Sequence, residues 1–299
     1  MKLMISVRDE HEAAAALVGG ADIIDVKNPA EGSLGAGRPE TIMTVMRAVR
    51  DAVPVSASIG DVPNLPGTVA LAGLGAATCG VRFVKVGLLG VRTEAEAANL
   101  LEAVRGALRV ATGTAGLVAC VYADAASVGS LDPFELPEAA APFVEGCLID
   151  TAIKDGRTLF QCLPEDAIAR FIRQCHDRGL FCGLAGSLRQ ADLSAALALG
   201  ADIVGVRTAA CEGGQRSGSI STMLVERLKA TLSLHIKSPH PPLLQRGGWG
   251  DFALRVTTHV PTVFPDSSHS LTRAGCVPLM IQQQSIPFNH PANSRSTPQ

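Results

Sequence analysis

Short apolar runs alternate with longer amphipathic segments along most of this chain. Runs of four to ten residues rich in Val, Ile, Leu and Ala are bounded by Gly, Pro, Asn or Asp, a pattern typical of buried strands. The predicted strands are residues 3–7, 20–29, 55–59, 82–88, 116–123, 147–152, 181–184 and 202–206. The predicted helices are residues 9–19, 39–51, 68–78, 93–111, 164–178, 190–199 and 220–232. Residues 130–144 are interrupted by proline and are predicted to be only partly helical.

This alternation predicts a parallel sheet and places the protein in the α/β class. Eight strand and helix units within 232 residues match the size of a closed (β/α)8 TIM barrel. An open doubly wound sheet is the alternative, but Ser6 to Asp9, at the end of the first strand, contain none of the glycines of a dinucleotide-binding turn. We therefore predict a TIM-barrel domain over residues 1–232.

Residues 233–299 differ in character from the rest of the chain. They contain nine of the 18 prolines and five of the seven histidines, with five Lys or Arg against two Asp. Such a polar, Pro-rich segment buries too little apolar surface to offset the entropy of ordering it. We predict a C-terminal extension, foreign to the barrel, with little structure. Its histidines lack cysteine or carboxylate partners at suitable spacing, so we expect no metal site there.

Composition excludes some classes of partner and location. The net charge of −2 and the single Trp and single Tyr argue against a nucleic-acid surface. No apolar stretch approaches the roughly 20 residues that span a bilayer. The apolar run at the N-terminus is shorter than the core of a signal peptide. The eight cysteines form no Cys-x-x-Cys pair, which predicts reduced thiols in a cytoplasmic protein. A homo-oligomer is compatible with the sequence, which does not fix the oligomeric state.

Charged residues end several of the predicted strands. Asp25 and Lys27 end the second strand and share one of its faces, because side chains alternate along a strand. The other strand-end groups are Lys85, Asp124, Asp150 and Lys154. Taken without the other strands, Asp25 and Lys27 could simply form a structural ion pair with each other. Because TIM barrels place their active sites at the C-terminal ends of the strands, the repeated pattern predicts one shared catalytic site.

The chemistry of that site follows from its amines. Lysines facing one another in a poorly solvated cavity lower each other's pKa, which leaves at least one amine neutral and nucleophilic near neutral pH. A neutral amine can form a Schiff base with a carbonyl substrate, while nearby carboxylates move protons and stabilise the iminium charge. We expect no cofactor and no metal in this chemistry.

A phosphate site is predicted beside these lysines. Gly186 and Ser187 follow the seventh strand, where small residues expose backbone N–H groups to an anion, and Arg207 follows the eighth. An ordinary turn and helix cap is the alternative for Gly186 and Ser187. Asp61 and Asp155 lie in Gly- and Pro-containing loops and are interpreted as turn formers.

Several long motifs resemble the (5-formylfuran-3-yl)methyl phosphate synthase family over about residues 3–230. The matching stretches are GADIIDVKNP from Gly20, EGSLGA from Glu31, IGDVP from Ile59, VKVGL from Val84, DTAIKDG from Asp150, LAGSL from Leu184 and DIVGVR from Asp202. The resemblance implies a barrel lyase that condenses two molecules of glyceraldehyde 3-phosphate, with loss of one phosphate, at the start of methanofuran-type cofactor biosynthesis.

The resemblance also implies roles for individual residues. Lys27 matches the Schiff-base lysine and Lys85 the proton acceptor, and polar residues of the family match Asp25, Asp150 and Lys154. Thr208 departs from the family, in which we expect a glycine after the arginine, so a phosphate contact at Thr208 is not implied. Another Schiff-base aldolase acting on sugar phosphates fits the residues equally well, and a non-catalytic barrel scaffold is a third reading.

Overall fold

The fold was obtained as a computed structural model, which describes residues 1–111 and 114–234. Eight strands are formed in this part of the chain: β1 Lys2–Val7, β2 Ile23–Val26, β3 Val55–Asp61, β4 Phe83–Gly87, β5 Gly116–Tyr122, β6 Gly146–Asp150, β7 Phe181–Leu184 and β8 Ile203–Val206. The α-helices of the same residues are α1 Glu10–Val18, α2 Pro39–Val49, α3 Pro66–Thr78, α4 Glu94–Val110, α5 Ala125–Val128, α6 Leu136–Ala140, α7 Leu159–Cys162, α8 Glu165–His176, α9 Asp192–Ala198 and α10 Thr222–Leu234.

The strands form a closed parallel barrel in chain order, so the predicted TIM barrel is confirmed. Closure is made by β1, which pairs in parallel with both β2 and β8, for example through Met4 with Ile23 and through Ile5 with Val206. An open sheet would leave β1 or β8 with a free edge. The doubly wound alternative is therefore excluded.

The core has two parts because strand side chains alternate between the two faces of the barrel wall. On β5, Leu117, Ala119 and Val121 belong to the apolar cluster under the helices, whereas Cys120 and Tyr122 point into the barrel. The inward positions become polar toward the C-terminal strand ends. On β2, for instance, Ile23 is followed by Asp25, and on β6 Leu148 is followed by Asp150.

Helix ends follow the local sequence signals. The Asp9 side chain accepts a hydrogen bond from Glu12 N at the start of α1, and Thr93 does the same for Glu96 N at the start of α4. The helix α7 was not predicted. It begins with a capping box, in which the Thr158 and Gln161 side chains each bond the other residue's backbone N–H.

One element boundary changes the interpretation of the site. Residue Asp61 was predicted to lie in a loop, yet it is the last residue of β3 and is in register with Gly87 of β4. Its carboxylate is therefore held by the barrel wall, and the prediction that it is only a turn former is wrong.

The predicted extension, residues 233–299, lies almost entirely outside the described residues, as do Cys276 and all the histidines of that segment. Within the described chain, α10 extends two residues beyond the predicted boundary at 232. The seven cysteines of this part are free thiols. None of the helices between residues 1 and 234, residues 112–113 aside, combines the length and the apolar character required to cross a bilayer.

Candidate active site

A cavity opens at the C-terminal ends of the strands. Seven of the eight predicted site residues line it: Lys27, Lys85, Asp150, Lys154, Gly186, Ser187 and Arg207. The eighth, Asp25, is fully buried, and its Oδ2 lies 2.8 Å from Lys85 Nζ. The barrel thus brings together residues that are as much as 182 positions apart in the sequence, as expected for parallel strands whose carboxyl ends share one face.

The amine of Lys27 is buried but unpaired. The residue is 6% exposed, and its Nζ makes no hydrogen bond or ion pair with any described residue, although it lines the cavity. Burial lowers the pKa of Lys27 to about 8 despite the opposing charges of Asp150 and Asp25. About one Lys27 amine in ten is therefore neutral at pH 7, and this neutral form can attack a carbonyl.

The amine of Lys85 has the opposite environment. It is 3% exposed and forms an ion pair with Asp25, whose two carboxylate oxygens also accept hydrogen bonds from Ser6 Oγ at 3.0 Å and Ser56 Oγ at 2.7 Å. Burial alone would lower the pKa of Lys85, but the charge of Asp25 raises it above the usual lysine value. The expectation that the clustered lysines all have a lowered pKa is therefore wrong for Lys85, which is charged in this structure.

A second ion pair joins Asp150 and Lys154, 2.6 Å apart. Lys154 Nζ also donates to Thr151 Oγ1 at 3.1 Å, and Thr151 N donates to Asp150 Oδ1. Burial would raise the pKa of Asp150, but the positive charges of Lys154 and Lys27 and these hydrogen bonds hold it well below its usual range. Asp150 is thus a fixed negative charge that faces Lys27 across the cavity.

A third pair, Asp61 and Tyr122, was not predicted from the sequence. The Tyr122 hydroxyl donates to Asp61 Oδ1, and Leu34 N donates to Asp61 Oδ2 at 3.0 Å. Burial, followed by the charge of Asp61, raises the pKa of Tyr122 well above its usual value. This pair fills the barrel beside Gly87, where a Cβ would lie 2.8 Å from Asp61 Oδ1. The signal that could have found it was the single Tyr of the chain at the end of an apolar strand.

The loop after β7 forms part of the cavity wall. Gly186 and Ser187 both have positive φ, +104° and +49°, which is unusual for a residue with a side chain. The N–H groups of Ser187 and Leu188 have no acceptor among the described residues. Successive N–H groups in such a turn form a concave site suited to an anion.

Two arginines near this loop, Arg207 and Arg216, differ in how many of their guanidinium N–H groups have protein acceptors. Arg207 is 5% exposed, and all five of its guanidinium N–H groups have protein acceptors. Arg216, which was not predicted as a site residue, also lines the cavity and is half-buried. Its Nη2 donates to Gly32 O at 2.8 Å and to Ser33 O at 3.4 Å. The predicted phosphate contact of Arg207 stays a prediction, and the geometry leaves it no free N–H group.

The remaining strand-end and loop groups are structural in this arrangement. Asp124 accepts hydrogen bonds from Ala152 N and Ile153 N at 2.7 and 2.8 Å and so fixes the loop after β6. Thr208 is half-buried at the cavity edge. Over residues 1–111 and 114–234, no three His, Cys, Asp or Glu side chains are grouped as a metal ion would need.

Fold and site together define the class: a TIM barrel with a buried lysine cluster at the C-terminal ends of its strands. The family model of 4-HFC-P synthase matches residues 3–229. The chain is 48% identical over 234 residues to the (5-formylfuran-3-yl)methyl phosphate synthase of Methanopyrus kandleri, covering 78% of this chain and 99% of that protein. It is 45% identical over 233 residues to the enzyme of the same name from Methanocaldococcus jannaschii, covering 77% and 98%.

The chain therefore belongs to the 4-HFC-P synthase family, a family of enzymes. Among solved structures, 3-hexulose-6-phosphate synthase shares the fold, with a TM-score of 0.55 at 16% identity over 78% of this chain and 100% of that one. Both the recognition of the family and the fold predicted from the sequence are confirmed.

Proposed function

We propose that this protein condenses two molecules of glyceraldehyde 3-phosphate into (5-formylfuran-3-yl)methyl phosphate through a Schiff base on Lys27, with loss of one phosphate and of water. The observation that carries the proposal is the buried, unpaired amine of Lys27, whose pKa is lowered to about 8. Membership of the synthase family supports the choice of reaction and product.

The neighbouring charges suit the formation of an imine. Neutral Lys27 adds to the aldehyde carbon and gives a carbinolamine, and a proton must then reach its hydroxyl before water can leave. The charged Lys85 can supply that proton, because it is buried within the same cavity. Loss of water leaves the positive charge on the iminium, which Asp150 and Asp25 stabilise.

Transfer of its proton to the carbinolamine hydroxyl also leaves Lys85 in the neutral form that its predicted role as a base requires. Once it has given up its proton, Lys85 is a neutral amine and can remove the carbon-bound proton next to the iminium, which yields an enamine. Asp25 holds the amine in place through its ion pair at 2.8 Å. The enamine is the carbon nucleophile that attacks the second carbonyl. Lys154, held by Asp150, is placed to donate a proton to the oxygen that develops charge in that attack.

Reductive trapping tests the proposal directly. The protein is treated with glyceraldehyde 3-phosphate and borohydride, and the labelled peptide is identified by mass spectrometry. We expect one adduct, on Lys27, and none in Lys27→Ala. The matched control is Lys2→Ala, because Lys2 is 46% exposed and lies at the opposite end of the barrel. An adduct that persists in Lys27→Ala, or that forms on another lysine, would refute the assignment.

Product analysis separates the alternatives. A different Schiff-base aldolase would be trapped on Lys27 but would release no inorganic phosphate and form no furan chromophore. A non-catalytic barrel would not be trapped at all. We further propose that the product enters a methanofuran-type pathway in the cytoplasm. The absence of a cofactor and a homo-oligomeric state remain predictions.

A further inference from the structure

The connection after β8 contains two arginines, Arg207 and Arg216, whose guanidinium groups differ in their hydrogen bonds. Arg207 Nε donates to Arg216 O at 2.9 Å, while its Nη1 and Nη2 bind Glu12, Ser6 O and Gly218 O. The pair with Glu12 is buried, at 2.9 Å, with both side chains at most 4% exposed. A guanidinium held in this way has no donor left for an incoming anion.

The segment 211–220 is fixed at both ends over the mouth of the cavity. Cys211 and Ile220 form an antiparallel bridge, and Arg8 Nη1 donates to Ser217 O at 3.1 Å. Arg207 holds the carbonyls of Arg216 and Gly218 inside this segment. Of residues 211–220, only Arg216 lines the cavity. The hydrogen bonds of the segment therefore place one cationic side chain over the site.

The guanidinium of Arg216 is anchored on one side only. Its Nη2 donates to Gly32 O and Ser33 O in the connection after β2, which takes the side chain across the barrel mouth. The N–H groups on Nε and Nη1 have no acceptor among the described residues. Ser187 and Leu188 line the same cavity, and their backbone N–H groups likewise have no acceptor among the described residues. An anion with several oxygens can accept from both sets of donors.

We propose that Arg216, rather than Arg207, binds the substrate phosphate in this cavity, and that Arg207 positions Arg216; the inference rests on the proposed function. The chemistry that fits is a phosphomonoester, because its oxygens can accept charge-assisted hydrogen bonds from a guanidinium and backbone N–H groups together. The buried Lys27 amine, which has no hydrogen-bond or ion-pair partner among the described residues, lines the same cavity and can react there with the aldehyde group of the phosphorylated substrate.

The test compares a phosphorylated substrate with its non-phosphorylated analogue. Borohydride trapping on Lys27 is titrated with glyceraldehyde 3-phosphate and with glyceraldehyde. In Arg216→Ala we expect the half-saturating concentration of glyceraldehyde 3-phosphate to rise about 10- to 100-fold, the range for loss of hydrogen bonds to a charged group. The half-saturating concentration of glyceraldehyde should change less than about threefold. Arg173→Ala is the control, because Arg173 is exposed on α8 and its loss changes the net charge equally.

The outcomes are distinct. A rise confined to the phosphorylated substrate upholds the inference, whereas equal changes for both substrates, or no change, overturn it. If the unmodified protein is trapped by neither aldehyde, the proposed function fails. Calorimetric titration with inorganic phosphate then decides the inference by itself: binding that weakens at least tenfold in Arg216→Ala supports it, and binding that is retained overturns it.

The positioning role of Arg207 has its own readout. Lysine at this position offers a point charge to Glu12 and cannot also hold the Arg216 and Gly218 carbonyls. If Arg207 acts only through Arg216, Arg207→Lys weakens phosphate binding in the natural background but adds nothing to Arg216→Ala. Additive losses would show that Arg207 contacts phosphate itself and would overturn this part of the inference.

Discussion

Two lysines in this cavity have pKa values shifted in opposite directions. Lys27 and Lys85 are both lysines at strand ends and both are buried, yet Lys27 has a lowered pKa and Lys85 a raised one. The difference is the partner, because Asp25 binds Lys85 at 2.8 Å and the Lys27 amine has no partner among the described residues. In the proposed mechanism, this difference in pKa makes Lys27 the nucleophile and Lys85 the acid, although both groups are amines.

The lowered pKa of Lys27 predicts how trapping depends on pH. The neutral amine is the reactive form, so the rate of imine formation should rise with pH and level off above about 8. At pH 7 about one amine in ten is neutral. Removing the negative charge of Asp150 in Asp150→Asn should move the inflection to lower pH, because that charge raises the pKa of Lys27. Initial trapping rates between pH 6 and 9.5 check this, and a flat profile would contradict it.

The paired state of Lys85 predicts a split between trapping and turnover. Lys85→Ala should still be labelled on Lys27, although more slowly because water must replace Lys85 as the proton donor, and it should lose about 10²–10⁴-fold in turnover, the usual cost of removing a general base. Lys85→Arg is the matched variant, because it retains a positive charge for Asp25 while its guanidinium is never neutral enough to act as a base. Furan formation near the natural rate in Lys85→Arg would show that another group removes the proton.

Elements are tied to one another by buried polar pairs as well as by apolar packing. The helix α1 is linked to the connection after β8 by Glu12, which accepts from Arg207 and from both the backbone N and Nε of Arg8. Burial would raise the pKa of Glu12, but these hydrogen bonds and charges lower it. The carboxylate therefore holds two arginines at the barrel mouth in its charged form.

Loss of the Glu12 charge should destabilise the protein. Glu12→Gln leaves the buried Arg207 without its counter-ion, which costs about 3–5 kcal/mol in the free energy of unfolding when one partner of a buried pair is removed. The measurement is chemical denaturation at neutral pH. Glu102→Gln is the control, because Glu102 is exposed on α4, and it should change stability by less than about 0.5 kcal/mol. Equal stability of the two variants would mean that the pair contributes nothing net.

The whole barrel is complete within the described residues. Pairing of β1 with β8 leaves no open edge, and α10 covers the last unit, with Val225 and Leu228 at most 1% exposed. The family match likewise ends at residue 229. A closed sheet has no edge to which a further strand of residues 239–299 could be added.

A chain shortened to residues 1–238 should therefore fold and retain its activity. We expect its thermal midpoint to lie within about 2 °C of that of the full chain, because less than about 0.5 kcal/mol is lost, and its rate of furan formation to be unchanged. Differential scanning calorimetry and the product assay are the measurements. Loss of either property would mean that residues 239–299 contribute packing or subunit contacts.

The sequence by itself determined the barrel and the composition of its site. Eight apolar runs separated by helical stripes can bury their side chains only in a parallel sheet covered by helices, and a period of two places strand-end charges on a shared face. Lys27, Lys85, Asp25, Asp150 and Lys154 could thus be selected before any coordinates, and the family could be recognised from its motifs.

Only the tertiary structure decided which charges are neutralised and which remain free. Asp25 pairs with Lys85 across β3, and Arg207 pairs with Glu12, 195 positions away in the chain. Such pairs depend on where side chains end in space, and the strand pattern specifies only the face on which each begins. After that pairing, the Lys27 amine and the Nε and Nη1 donors of Arg216 have no partner among the described residues, and such buried polar groups at a cavity are candidates for contact with a ligand.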